Sequence, residues 1–160
     1  MPAFAGMSGK NMDSARTQII AEARAWIGTP YKHQASLKGV GCDCLGLVRG
    51  VWRALNGPEP EAAPAYSADW AEAGGKESLA AAAARHLTPV ELADVAPGDV
   101  LLFRWRAHLP AKHAAILVAP DRIVHAHDGA AVAEVYFASF WRRRLAFGFR
   151  FPAIRAPDSA

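Results

Sequence analysis

Along residues 13–28, DSARTQIIAEARAWIG, apolar side chains return at helical spacing, which predicts an amphipathic helix. Ile19, Ile20, Ala23 and Ile27 fall near one face, with Trp26 flanking it. Asp13 or Ser14 can cap the start, and Gly28 stands where a C-terminal glycine belongs. A turn-rich loop, TPYKHQASLKGVGC, follows. Cys44, Leu47, Val48, Val51, Trp52 and Leu55 then recur at helical spacing until Asn56-Gly57-Pro58 stops the run. Residues 58–78 lack a clear period and read as loop. Ser78 to about Leu87 is an alanine-rich helix ended by Thr88-Pro89.

Beyond Pro89 the period changes. GDVLLFRW, HAAILVA, RIVHAH, AAVAEVYF and AFGFRF are short β-type runs separated by turn formers such as APDR and DGA, with a helical turn predicted in FASFWRRR. Helices come first and an antiparallel sheet second, so the fold class is α+β. There is no internal repeat and no domain-scale linker. The expected unit is a single domain over 13–154, with flexible tails at 1–12 and 155–160.

Composition narrows the class. The chain has 160 residues, of which 52% are hydrophobic and 21% charged, enough for one domain with a real core. No apolar stretch approaches the roughly 20 residues of a membrane span, and the N-terminus lacks the apolar centre of a secretory signal. The expectation is therefore no membrane span and cytoplasmic synthesis without a signal peptide. The net charge of +3 is mild, and WRRRL at 141–145 concentrates some of it. The basic residues lack interleaved aromatic platforms beyond that turn, so nucleic-acid recognition is not expected.

The chain holds 2 cysteines, Cys42 and Cys44, one residue apart. They are too few for a disulfide scaffold, and joining them would strain the loop. A cysteine is a useful nucleophile only as thiolate, which a helix N-terminus and a neighbouring histidine favour. Cys44 sits where the glycine-rich loop turns into the second helix; Cys42 is still in the loop. A small buried hydrophobe is the alternative reading of Cys44. A zinc site built from both cysteines and two histidines is another, although C-x-C is not the usual knuckle spacing.

Of the 6 histidines, His33 and His108 lie in loops and His86 ends the alanine-rich helix. His113 opens one predicted strand. His125 and His127 lie on the next at i and i+2, so they share a side of the sheet. Hairpin pairing of those strands would bring His113 together with one of the two. Asp43 can be a simple helix N-cap, can pin the loop, or can engage a substrate amine.

GTPYKHQASLKGVGCDCLGLV resembles the signature of the NlpC-type cell-wall cysteine peptidases, with a G-x-P-Y segment, a short loop, and D-C-S-G-L-V at the head of the catalytic helix. Asp43-Cys44-Leu45-Gly46-Leu47-Val48 matches it apart from the serine. Ala96–Trp105 is similar to the family's P-G-D-L-x-F-F strand. KHAAILVAPDRIVHAH is similar to its two histidine-bearing strands. The order holds over roughly 15–150. The resemblance implies a papain-like fold, with the cysteine helix packed on an antiparallel sheet that bears the histidines. It implies Cys44 as nucleophile and His113 as base. It also implies His125 as the third member, because the family's two positions lie about twelve residues apart, with His127 in reserve. Tyr31 matches the tyrosine whose hydroxyl lines the site. The implied activity is hydrolysis of amide bonds in peptidoglycan stem peptides, commonly from D-glutamyl to diaminopimelate or lysine, with no metal or organic cofactor. CDCLGL looks most like the members encoded with phage tails and gene transfer agents, which implies tail-like structural partners and a place in a virion-like particle. Two positions depart from the pattern. Leu45 replaces the serine that helps bind the substrate's amino-terminal end, and His33–Ala35 replaces a frequent G-G. The rival classes are an amidase or acyltransferase on another amide, and a non-catalytic tail component.

Overall fold

A computed structural model describes residues 9–61, 76–127 and 129–153. Helix α1 spans Gly9–Ala25, starting before and ending earlier than its pattern predicts. A hairpin of two short strands, β1 (Ser36–Leu37) and β2 (Gly41–Cys42), leads into helix α2, Cys44–Asn56. Helix α3 covers Ser78–His86. Strand β3 (Thr88–Val90), a 3₁₀ turn at Leu92–Asp94, and strands β4 (Asp99–Phe103), β5 (His113–Ala119), β6 (Arg122–His125) and β7 (Ala133–Tyr136) follow. A one-turn helix, α4 (Ser139–Arg142), precedes β8 (Leu145–Arg150). The fold is α+β, as the period change predicts. The hairpin β1–β2 and strand β3 carry no such pattern, being too short to show alternation. Most of the loop predicted at 58–78 and the tail at 155–160 lie outside the described residues.

The large sheet is antiparallel, in the order β3-β8-β4-β5-β6-β7. Alternation along its central strands divides the core in two. Val100, Leu102, Ala114 and Ile116 join the cluster made with α1, α2 and α3. Leu101, Phe103, Ala115 and Leu117 join a second cluster with Ile123 and Phe137. Because both faces are covered, β4 and β5 read as continuous apolar runs rather than alternating ones.

One detail holds α1 against α2, and another ties β4 to β8. Trp26, 2% exposed, takes the core position on α1's side, while Ile27 is 46% exposed. The sequence pattern gives Ile27 that position. The helix ends at Ala25, and the following turn reverses the two side chains. The indole of Trp26 then lies against Gly50 of α2, where an added Cβ would come within 2.0 Å of the ring. At the sheet's far end, Asp99 is fully buried and accepts from Arg150 Nε and Nη2 at 2.9 Å each and from the Ala96 N–H at 2.9 Å. A carboxylate buried this deeply is tolerable only because it is paired and hydrogen-bonded.

Candidate active site

Cys44 is the first residue of α2, and Asp43 caps the helix. Asp43 is 3% exposed, and its Oδ1 accepts the Gly46 N–H at 2.7 Å. Its Oδ2 accepts the Gln34 N–H at 2.8 Å, which holds a residue at φ 65. One carboxylate therefore both caps the helix and pins the preceding loop. Further contacts lock loop to helix. The Ala35 carbonyl accepts the Asp43 N–H at 3.3 Å, and Ser36 Oγ donates to the Gly46 carbonyl at 2.6 Å. A Cβ on Gly46 would stand 1.9 Å from the Ala35 carbonyl oxygen, so glycine is what lets the loop approach. Tyr31 is half-buried beside this loop, and its backbone pairs with Cys42.

The Cys44 thiol lies 3.9 Å from the Lys112 carbonyl, and the backbone N–H of Ala114 faces the sulfur. These two residues flank His113, so the α2 terminus meets β5 at its histidine. His113 and His125 are 4% and 5% exposed, and His113 Nε2 lies 2.9 Å from His125 Nδ1. Their strands place them together through the β5–β6 pairing. His127, past the end of β6 and exposed, has its ring 5.5 Å from that of His113 and 5.8 Å from that of His125.

Electrostatics favour neutral partners at rest. Burial pushes the Cys44 thiol up to about 11, against the pull of the Ala114, Leu45 and Cys44 N–H groups. Burial, then the neighbouring His125 and His127, pushes His113 well below its usual range. Burial and His127 lower His125 to about 4. Burial thus opposes charge on both groups.

Cys42 is fully buried and is not joined to Cys44. Its thiol is pushed up to about 12 by burial, then by Asp43 and Cys44. Among the described residues, no group of three or more His, Cys, Asp or Glu is arranged to hold a metal ion. His33 lies 3.9 Å from Asp43 and is exposed, and His86 pairs with Glu61 at 3.0 Å. Leu45 helps line a largely apolar cavity of about 430 Å³ between α2, α3 and the sheet, with Trp52, Leu79, Val100 and Ala114.

Three groups at the site carry no role in the sequence reading. Trp105 stacks on His113 at 5.5 Å, and Trp141 does so at 5.4 Å. Glu77 accepts from Arg104 at 2.7 Å and from the Ala111 N–H at 2.9 Å, tying the β4–β5 connection to the start of α3. Trp105 continues the β4 alternation from Phe103, so its parity is a usable signal. Trp141 lies in a four-residue helix with no period to read, and Glu77 acts through tertiary contacts alone.

The sequence model of the NlpC/P60 family matches residues 28–150. Among solved structures, the NlpC/p60 domain of the peptidoglycan hydrolase SagA is 22% identical with a TM-score of 0.58, over 85% of this chain and 98% of that one. An NlpC/P60 family protein from Bacillus cereus is 14% identical with a TM-score of 0.61, over 86% of this chain and 40% of that one. The peptidoglycan hydrolase RipB from Mycobacterium tuberculosis is 20% identical with a TM-score of 0.55, over 98% and 73%. A search of curated proteins found no match.

Proposed function

The chain belongs to the NlpC/P60 family, and on that premise we propose that it is a cysteine peptidase hydrolysing amide bonds in the peptide stems of peptidoglycan. The observation that carries the reading is the meeting of the Cys44 thiol with the backbone on either side of His113, whose Nε2 is engaged by His125 at 2.9 Å. The relatives described as peptidoglycan hydrolases share the fold and supply the substrate class.

With Nε2 occupied, Nδ1 of His113 is the nitrogen left to take the thiol proton. Burial opposes charge on both groups, so the thiol proton passes to His113 as the sulfur attacks. Sulfur bonds to the scissile carbonyl carbon, and the carbonyl π electrons pass to oxygen. The Cys44 N–H, one of the donors for which the helix start offers no intrahelical partner, is the oxyanion donor. The oxyanion collapses, the C–N bond breaks, and His113 returns the proton to the leaving amine. Water then loses a proton to His113 and attacks the thioester. The acid leaves, and sulfur recovers its proton. His125 orients His113 throughout, and Tyr31 lines the site. Asp43 acts through the loop it pins.

Zymography on purified peptidoglycan tests this: wild type clears and Cys44→Ala does not. Equal clearing by both sinks the peptidase reading. The bond we expect to be cut is D-glutamyl to diaminopimelate, read by mass spectrometry of the muropeptides. Leu45 in place of serine is the feature most able to shift that preference. A lipid-like amide is the second reading, favoured by the apolar cavity beside Leu45, and product mass spectrometry separates the two. The CDCLGL motif supports a place in a phage-tail or gene-transfer-agent particle, with tail proteins as partners and local wall opening during DNA delivery as the role. Proteomics of purified particles tests that placement; absence of the chain from them overturns it.

A further inference from the structure

His113 is enclosed by rings, and the mechanism above uses only His125 among them. Trp105 lies 5.5 Å from the His113 ring at an interplanar angle of 25°, and Trp141 lies 5.4 Å away at 29°. Both are close to the offset-stacked arrangement aromatic rings prefer. The indoles are 5.8 Å from one another. Trp141 also meets His125 edge-on at 5.0 Å, and Trp105 meets His127 edge-on at 5.8 Å. Phe103 backs both His113, at 6.0 Å, and Trp141, at 5.3 Å.

Both indoles stand on braced backbone. The Arg104 N–H donates to the Arg144 carbonyl at 2.9 Å, joining the end of β4 to the exit of α4. The Arg104 side chain donates to Glu77 and to the Leu109 carbonyl, each at 2.7 Å. On α4, Arg142 donates to the Phe137 carbonyl at 2.8 Å and stacks over the Phe137 ring at 4.3 Å. Two rings held this way restrict a third that stacks on both of them.

We propose that Trp105 and Trp141 are positioning residues that hold the His113 ring with Nε2 on His125 and Nδ1 toward Cys44, and that their π faces stabilise the imidazolium formed when Cys44 gives up its proton. The proposal rests on the reading of Cys44 and His113 as the reactive pair. The titratable groups facing His113 are Cys44 from α2, and His125 and His127 from β6 and its continuation. The rings packed on it from β4, its extension and α4 are the uncharged Phe103, Trp105 and Trp141. Burial and the two histidines all oppose a proton on His113. The indole faces are what attracts the cation.

The pH dependence of Cys44 alkylation by iodoacetamide, followed by peptide mass spectrometry, needs no substrate. Proton transfer from Cys44 to His113 as the sulfur attacks gives a pH-independent plateau near neutrality, below the rise that follows direct thiol ionisation. Trp105→Leu and Trp141→Leu are expected to lower the plateau roughly tenfold and leave the alkaline limb in place; phenylalanine at either position is expected to stay within about threefold of wild type. An unchanged plateau in the leucine variants overturns the proposal, as does an equal fall of plateau and alkaline limb, which marks altered access alone. No plateau in the wild type overturns the reactive pair itself, and the proposal with it. If a leucine variant fails to fold, wild-type protein carrying fluorinated tryptophans decides. A plateau that falls with each added fluorine supports the π interaction; an indifferent one overturns it.

Discussion

Cys44 and His113 meet in one site but are held by different kinds of neighbour. The loop that seats the start of α2 comes from the adjoining chain, through the Gln34 and Ala35 backbone, Ser36, the Asp43 carboxylate and Gly46, and only the thiol itself reaches across to Lys112 and Ala114. The ring of His113 is seated by Phe103, Trp105, His125 and Trp141, drawn from β4, the turn after it, β6 and α4. The first half is a loop folded onto its own helix by hydrogen bonds. The second is an aromatic cluster assembled by sheet pairing. A local half fails through its geometry, and an assembled half through its electrostatics and packing.

The comparison can be broken most sharply at Gly46. Alanine there drives a Cβ into the Ala35 carbonyl, a backbone atom that cannot turn away. We expect a loss of about 3 kcal/mol or more in urea unfolding. A loss under about 1 kcal/mol shows that the loop yields and the local half is not rigid. On the histidine side, His125→Ala is expected to lower peptidoglycan hydrolysis about a hundredfold, since removing the hydrogen-bonded partner frees the His113 ring. His127→Ala should stay within about threefold, since His127 meets His113 by an edge-on ring contact and a charge effect and not by the hydrogen bond that His125 makes. The reverse ranking moves the third role to His127.

The pH profile of stability divides the same way. His125 titrates at about 4 when folded against 6.5 ordinarily, so between those values the unfolded chain binds more protons. Stability therefore falls as pH drops from 6.5 toward 4, by on the order of 2 kcal/mol from His125, and His125→Gln should remove that part of the limb while His113, lowered as well, keeps the rest. Cys44 is raised from 9.0 to about 11, so the folded chain keeps a proton the unfolded one loses. Stability falls as pH rises through that window, and Cys44→Ala should remove part of the loss; Cys42 carries the rest. Thermal melts of each variant across both windows check the assignment. The smallest expected effect is Asp43→Asn, about 1 kcal/mol in urea unfolding, because the amide oxygen still accepts one of the two backbone N–H groups. A cost several times larger assigns the carboxylate a role beyond cap and loop.

Legibility followed the same division. Asp43, Cys44 and Gly46 could be read from a few adjacent letters because their contacts are adjacent. The sheet strands could be read because burial imposes a period, though β3 and the β1–β2 hairpin were too short to show one. Ile27 and Trp26 exchanged places because a helix end one turn earlier reverses which side chain faces inward. His113 and His125 could be picked out as strand histidines, and the resemblance ranked His125 first. Trp105 carried a parity signal that pointed to the same side. Trp141 and Glu77 carried none.

By itself the sequence determined the α+β order, the helix that begins at Cys44, the loop that precedes it and the strands that bear the histidines. Each of these depends on residues close together in the chain, where spacing and capping act directly. The tertiary structure alone decided that His125 rather than His127 bonds His113, that two indoles stack on that ring, and that burial opposes charge on the thiol and the imidazole. Those outcomes depend on which strands pair, in what register and how deeply they are covered, and such long-range terms leave no local trace in the order of residues.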